Sequence, residues 1–118
     1  MYLYNLENKN YLKMINNNND VIIGIYEKNC IIGDLFKGIL NKINELTGRD
    51  IIVCIIEKNE FLTLNIEENK NVSPLILVYK NGINVKKIFG LMNYKKVLEE
   101  ICLYWYLKKQ KIINLFNR

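Results

Sequence analysis

Apolar residues along the chain follow two kinds of pattern, short continuous runs and helical spacing. Two runs rich in β-branched residues, 21–26 and 51–56, predict strands that are buried on both faces of a sheet. Between them, apolar residues recur every three or four positions from Ile32 to Leu46, which predicts a helix that begins at or beside Cys30. This order of strand, helix and strand predicts a βαβ unit with parallel strands and a right-handed crossover.

The segments on either side of this unit predict further short elements. Residues 1–4 are predicted to form an edge strand, and Asn5 is predicted to be the N-cap of a helix that carries Leu6 and Tyr11. After the second buried strand, residues 59–64 are predicted to form a short helix. Strands and helices therefore alternate through the first half of the chain.

A hairpin and a long helix are predicted in the C-terminal half. Asn81 and Gly82 separate the apolar runs 75–79 and 84–89, and Asn-Gly between such runs is the strongest short-range hairpin signal. Asn93 is a good N-cap, from which a last helix is predicted to run to about residue 116. The complete pattern predicts an α/β fold.

The length and composition limit the class of protein. A chain of 118 residues, half of them hydrophobic and a quarter charged, is typical of one globular domain, so residues 1–118 are predicted to form a single domain. The chain contains no histidine, which excludes Ser-His and Cys-His nucleophile pairs and imidazole metal ligands. Its three cysteines are dispersed, so we expect no metal site and no cofactor.

The net charge of +5 is spread along the chain. The lysines are scattered, and Arg49 and Arg118 belong to no arginine cluster. Dispersed lysines are typical of a solvated surface, so we expect no specific nucleic-acid binding. No signal peptide is visible and no apolar run reaches the roughly 20 residues of a membrane helix, so we expect a cytoplasmic protein without a transmembrane segment.

The element order and two landmark residues resemble the thioredoxin family. The order is β-α-β-α-β-α-β-β-α, with Cys30 at a junction between strand and helix and Pro74 directly before the fourth strand. The resemblance implies a mixed five-stranded sheet of order 1-3-2-4-5 with helices on both faces. It also implies a cis proline at Pro74 that faces Cys30, and a Ser73 backbone that is offered to an extended peptide. The alternative is that Pro74 only begins an edge strand.

Three parts of the family's dithiol site are absent from this sequence. Gly33 stands where the C-x-x-C motif has its second cysteine, so no internal disulfide can form in this motif. Gly24 stands at the position of the family's buried acid, and Asn29 stands where a tryptophan is usual. The resemblance therefore implies the fold together with a degenerate active site.

Two functions fit this degenerate site. Cys30 at a helix N-terminus faces unpaired backbone N–H groups, which favour the thiolate, so the first is monothiol redox chemistry through mixed disulfides with a protein or peptide partner. The second is a redox-inactive binding or adaptor module that uses the groove around Pro74. The predicted site comprises the catalytic residue Cys30 and five substrate-binding residues, Ile31, Ile32, Gly33, Ser73 and Pro74.

The other cysteines and the C-terminal segment are predicted to lie outside this site. Cys54 and Cys102 are predicted to be small core residues. Residues 104–116 combine lysines with apolar and aromatic side chains, which suits a partner groove, a membrane surface or a homodimer interface that includes Trp105 and Phe116. The alternative is that this segment packs against its own domain.

Overall fold

The secondary structure is known for residues 3–48, 51–64 and 73–105 of a computed structural model, and the side chains for the same ranges up to residue 101. In this part of the chain the elements are, in order, β1 (Tyr4–Leu6), α1 (Asn8–Asn17), β2 (Asp20–Tyr26), α2 (Ile31–Thr47), β3 (Ile52–Glu57), α3 (Lys58–Leu62), β4 (Leu75–Lys80), β5 (Ile83–Phe89) and α4 (Tyr94–Trp105). Strands and helices follow one another as the hydrophobic pattern predicts.

The five strands form one mixed sheet in the order β1-β3-β2-β4-β5. Strands β1, β3 and β2 are parallel, β4 is antiparallel to β2, and β5 is antiparallel to β4. The predicted order and the predicted α/β class are both confirmed. Since Ile25 pairs with Leu75, the start of β4 lies beside the end of β2.

Each face of the sheet is covered by two helices. The alternation of side chains along β2 directs Ile22 and Tyr26 to the face that packs against α2 and α4. Val21, Ile23 and Ile25 point to the other face, where they pack with α1 and α3. Because β2 is buried on both faces, its sequence is a nearly continuous apolar run.

The prediction for the N-terminal segment is wrong in one respect. Asn5 is not a helix N-cap but lies within β1, which extends to Leu6. The Leu6 side chain is buried and its residue pairs with Ile56 of β3, so burial in the sheet overrides the capping preference of Asn5. The N-cap of α1 is Glu7, whose backbone N–H donates to Oδ1 of Asn10 at 2.8 Å.

The predicted hairpin is present between β4 and β5. Asn81 and Gly82 both have positive φ angles, 53° and 82°, as a two-residue type I′ turn requires. The ladder shifts register between Val78 and Tyr79, and the Asn84 side chain donates to the carbonyl oxygens of Val78 and Lys86 at 3.1 and 3.2 Å. This side chain therefore holds the irregular part of the hairpin.

The last helix begins where the sequence predicts. The Oδ1 atom of Asn93 accepts a hydrogen bond from the backbone N–H of Lys96 at 2.9 Å, which caps α4. An ion pair between Lys86 and Glu100, with N···O at 2.9 Å, joins this helix to β5. Among the residues with known structure, no helix is long and apolar enough to span a bilayer. The predicted continuation to residue 116 and the side chains of Trp105 and Phe116 lie outside the described residues.

Candidate functional site

Cys30 lies at the point where the chain leaves the sheet and enters α2. The preceding residue, Asn29, has a φ of 56°, a left-handed conformation that asparagine adopts more readily than most residues. Cys30 is the N-cap of α2, and its carbonyl oxygen accepts from the backbone N–H of Asp34 at 3.1 Å. Its half-buried side chain therefore lies at the end of the helix where backbone N–H groups lack intrahelical partners.

Pro74 lies directly before β4, and the Ser73–Pro74 peptide bond is cis. The carbonyl oxygen of Pro74 accepts from the backbone N–H of Gly90 at 2.9 Å, which joins this loop to the end of β5. Strand β4 lies between β2 and β5, so the alternative that Pro74 begins an edge strand is wrong.

One groove collects most of the predicted site residues. Its lining consists of Tyr26, Glu27, Cys30, Ile32, Gly33, Ser73 and Pro74. Ile31 does not line this groove, and 79% of its surface is exposed. The groove thus brings together residues that are more than 40 positions apart in the sequence, because β2 and β4 are neighbouring strands.

Large apolar side chains surround the start of α2. Ile31, Ile32 and Leu35 are exposed to 79%, 49% and 54%. The helical spacing of apolar residues in the sequence includes Ile32 and Leu35, which are exposed. The apolar side chains that α2 buries against the sheet are Phe36, Leu40 and Ile43. Neighbouring exposed apolar side chains are typical of a contact surface for another molecule.

Tyr26 is a groove residue that the sequence analysis did not identify. Its side chain is buried, and Nζ of Lys37 lies 4.7 Å from the centroid of its ring. Burial raises the pKa of the Tyr26 phenol, and the negative charge of Glu57, its neighbour on β3, raises it further. The phenol is therefore uncharged at neutral pH. The alternation of side chains along β2 could have identified Tyr26. It places this side chain at the C-terminal end of β2, on the face of the sheet that packs against α2.

Glu27 is held by an ion pair across the ends of β2 and β3. Nζ of Lys58 lies 3.1 Å from Oε1 of Glu27. The lysine offsets part of the negative charge that this carboxylate brings to the groove. The carboxylate of Glu27 is therefore paired with a positive charge at the rim of the groove.

Packing fills the space next to Gly24. A Cβ atom at this position would collide with Cδ1 of Leu40 and would lie 2.9 Å from Cε2 of Phe36. Both side chains are fully buried parts of α2. The space beside Gly24 is therefore filled by an apolar contact between α2 and β2.

Cys54 does not line the groove that contains Cys30. It lies in β3 on the face that packs with α1 and α3, and its side chain has no exposed surface. Burial raises the pKa of its thiol to about 12, so it is not ionised near neutral pH. The Cys102 side chain lies outside the described residues. The residues with described structure contain no cluster of cysteine and carboxylate side chains that could hold a metal ion.

Solved structures with the same arrangement identify the fold. Oxidised thioredoxin from Plasmodium falciparum superposes with a TM-score of 0.75 at 18% identity, over 87% of this chain and 98% of that one. The chain has the thioredoxin fold. Thioredoxin f2 from Chlamydomonas reinhardtii gives a TM-score of 0.70 at 18% identity, over 87% of this chain and 96% of that one.

A third solved structure with a similar fold concerns the thiol-resolving mechanism of yeast mitochondrial 1-Cys peroxiredoxin via the glutathione and thioredoxin systems. Its TM-score is 0.71 at 20% identity, over 84% of this chain and 92% of that one. The sequence matches no protein-family model and no curated protein. The thioredoxin fold is therefore established by structure, and the function has to be argued from the groove.

Proposed function

We propose that this thioredoxin-fold protein acts in thiol-disulfide homeostasis in the cytoplasm, by monothiol chemistry at Cys30 with protein or peptide partners. The observation that carries the proposal is the position of Cys30 at the N-terminus of α2, on the same groove as Ser73 and Pro74. In this proposal Ile32, Gly33, Ser73 and Pro74 contact the partner, and Ile31 extends the contact outside the groove.

The proposed step is an exchange of one disulfide bond for another. The Cys30 thiolate attacks one sulfur of a partner disulfide, a new S–S bond forms, and the second sulfur leaves as a thiolate that takes up a proton. A thiolate from another molecule then attacks the mixed disulfide and displaces Cys30. The groove supports the first step because the helix N-terminus stabilises negative charge and Lys58 offsets the charge of Glu27.

The test is the reaction of the full chain with glutathione disulfide, followed by peptide mass measurement. A Cys102→Ser variant leaves Cys54 as the only cysteine besides Cys30. We expect glutathione to attach to Cys30 faster in the folded protein than in the same protein unfolded in urea. Cys30→Ser in the same Cys102→Ser background is expected to form no adduct while folded, because Cys54 is buried. A rate no higher in the folded than in the unfolded protein would refute the monothiol proposal.

The exposed apolar side chains beside the groove favour a second candidate, a redox-inactive binding or adaptor module. Ile31, Ile32 and Leu35 would then hold a partner without a covalent step. A partner bound in this way would be retained by Cys30→Ser and lost by Ile31→Ser combined with Leu35→Ser. A monothiol protein would instead lose, in the Cys30→Ser variant, a partner captured through a disulfide.

A further inference from the structure

The first turn of α2 approaches the backbone of the preceding loop at Gly33. A Cβ atom at this position would collide with the carbonyl oxygen of Glu27. This oxygen belongs to the backbone, so no change of side-chain rotamer can relieve the contact. Gly33 itself is buried, so the contact cannot be avoided by a shift toward solvent.

Gly33 lies close enough to Cys30 that a cysteine in its place could reach Cys30 if a side chain fitted there. The same Cβ atom would lie 3.8 Å from Cβ of Cys30, which is within the range found in disulfide bonds. Distance to Cys30 therefore does not prevent a second cysteine at this position. The obstacle is the carbonyl oxygen of Glu27, which would have to move to admit a side chain at position 33.

Another glycine of the same helix provides the contrast. A Cβ atom at Gly38 would have no atom within 4 Å, and Gly38 is exposed. Glycine lowers helix stability relative to alanine, so at Gly38 a side chain should be tolerated or stabilising. The requirement for glycine is specific to Gly33 and does not apply to α2 as a whole.

We propose that Gly33 is a specificity-determining residue that restricts Cys30 to disulfide bonds with other molecules. This inference rests on the proposed monothiol function. The buried thiol of Cys54 cannot replace the missing second cysteine, because it lies in the core on the opposite face of the sheet from α2. Cys54 is the only other cysteine whose side chain the structure describes, so among the described residues a mixed disulfide at Cys30 has no internal thiol to attack it and persists until an external thiolate, such as that of a low-molecular-weight thiol, does so. That thiolate forms the new S–S bond, and Cys30 leaves as a thiolate.

Two alanine variants test the packing on which this inference depends. We expect Gly33→Ala to lower the melting temperature by about 5 °C or more relative to Gly38→Ala, because the added methyl group must displace backbone. Equal melting temperatures in the two variants would overturn the inference. This comparison does not involve the reactivity of Cys30, so it remains informative even if the monothiol function is refuted.

The Gly33→Cys variant tests the chemical consequence. The folded variant is equilibrated in a glutathione redox buffer, and disulfides are assigned by peptide mass measurement. We expect no bond between positions 30 and 33, and glutathione adducts at Cys30 as in the unaltered protein. A disulfide between these positions in the folded protein would overturn the inference. If this variant does not fold, the two alanine variants decide the matter.

Discussion

An aspartate in place of Gly24 should strongly destabilise the protein. The Gly24→Ala variant isolates the steric part, since its methyl group meets the buried side chains of Leu40 and Phe36. Overpacking of this kind costs about 1–3 kcal/mol. Replacing a strand glycine by alanine regains roughly 0.5–1 kcal/mol of conformational free energy. The net loss in the free energy of unfolding then lies between roughly 0 and 2.5 kcal/mol, and the full burial of both neighbouring side chains places our expectation at about 1–2 kcal/mol.

The Gly24→Asp variant adds a polar group to the same apolar contact. An uncharged carboxyl group without a partner costs roughly 1–3 kcal/mol beyond the steric loss, and a charged one costs more. The combined loss of about 2–5 kcal/mol is a large fraction of the roughly 5–15 kcal/mol that stabilises a typical domain. We therefore expect this variant to be partly or largely unfolded at neutral pH.

The pH dependence of the Gly24→Asp variant has a definite sign. Burial raises the pKa of a carboxyl group in the folded state, whereas in the unfolded chain this aspartate ionises near pH 4. Above that pH the unfolded state releases a proton that the folded state keeps, so destabilisation increases with pH until the folded carboxyl also ionises. The difference from the unaltered protein should therefore be smaller at pH 4 than at pH 7.

Urea unfolding followed by circular dichroism measures these differences in free energy. Gly38→Ala and Gly38→Asp are the matched controls, because that glycine lies exposed on α2 with no neighbouring atom in the way. The reasoning would be refuted if Gly24→Ala were as stable as the unaltered protein. It would also be refuted if Gly24→Asp and Gly38→Asp lost the same free energy at pH 7.

Three further predictions concern titrating groups. Cys54 should resist iodoacetamide at pH 9 in the folded protein and react after unfolding; equal rates would contradict its burial. The hydrogen bond and positive charge of Lys86 lower the pKa of Glu100, so this pair stabilises the protein above the acid's ordinary pKa and loses its effect as pH falls through the lowered value. Lys86→Met should raise the Glu100 pKa measured by NMR, and an unchanged value would exclude this pairing. Spectroscopic titration should show the raised pKa of Tyr26 in the native protein; Glu57→Gln should lower it only in part, because burial is the larger cause, and a complete return to the ordinary value would contradict that order.

The fold was predictable from the sequence for two reasons. The hairpin depends on the residue types of its own turn, and the buried strands must be apolar on both faces. The runs that form β2 and β3 are apolar on both faces of the strand, which only a strand between two helical layers requires. Asparagine and glycine are the residues that most readily adopt the positive φ angles of this turn, so Asn81 and Gly82 predict the hairpin by themselves. The end of β1 and the start of α1 were mispredicted because Asn5 caps helices well in isolation, whereas pairing with β3 is a long-range effect.

The site was predictable only as far as the resemblance reached. Cys30, Ser73 and Pro74 are landmarks that the sequence displays, and the structure places them on one groove. Tyr26 and Glu27 carried no motif, because their place in the groove follows from the end of β2 and the turn after it. The sequence shows that Gly33 lacks a thiol, but the contact with the Glu27 carbonyl exists only in three dimensions.

The two glycines of the degenerate site belong to one packing arrangement. Gly24 allows Phe36 and Leu40 to lie against β2, and Gly33 allows the first turn of the same helix to lie against the loop that follows β2. A side chain at position 33 would meet the backbone of Glu27, and a side chain at position 24 would meet the side chains of Phe36 and Leu40. The same helix makes both contacts, so both positions constrain how α2 packs against β2 and the loop that follows it. Under the monothiol function that we propose, this packing keeps a second thiol away from position 33 and leaves Cys30 dependent on thiols of other molecules.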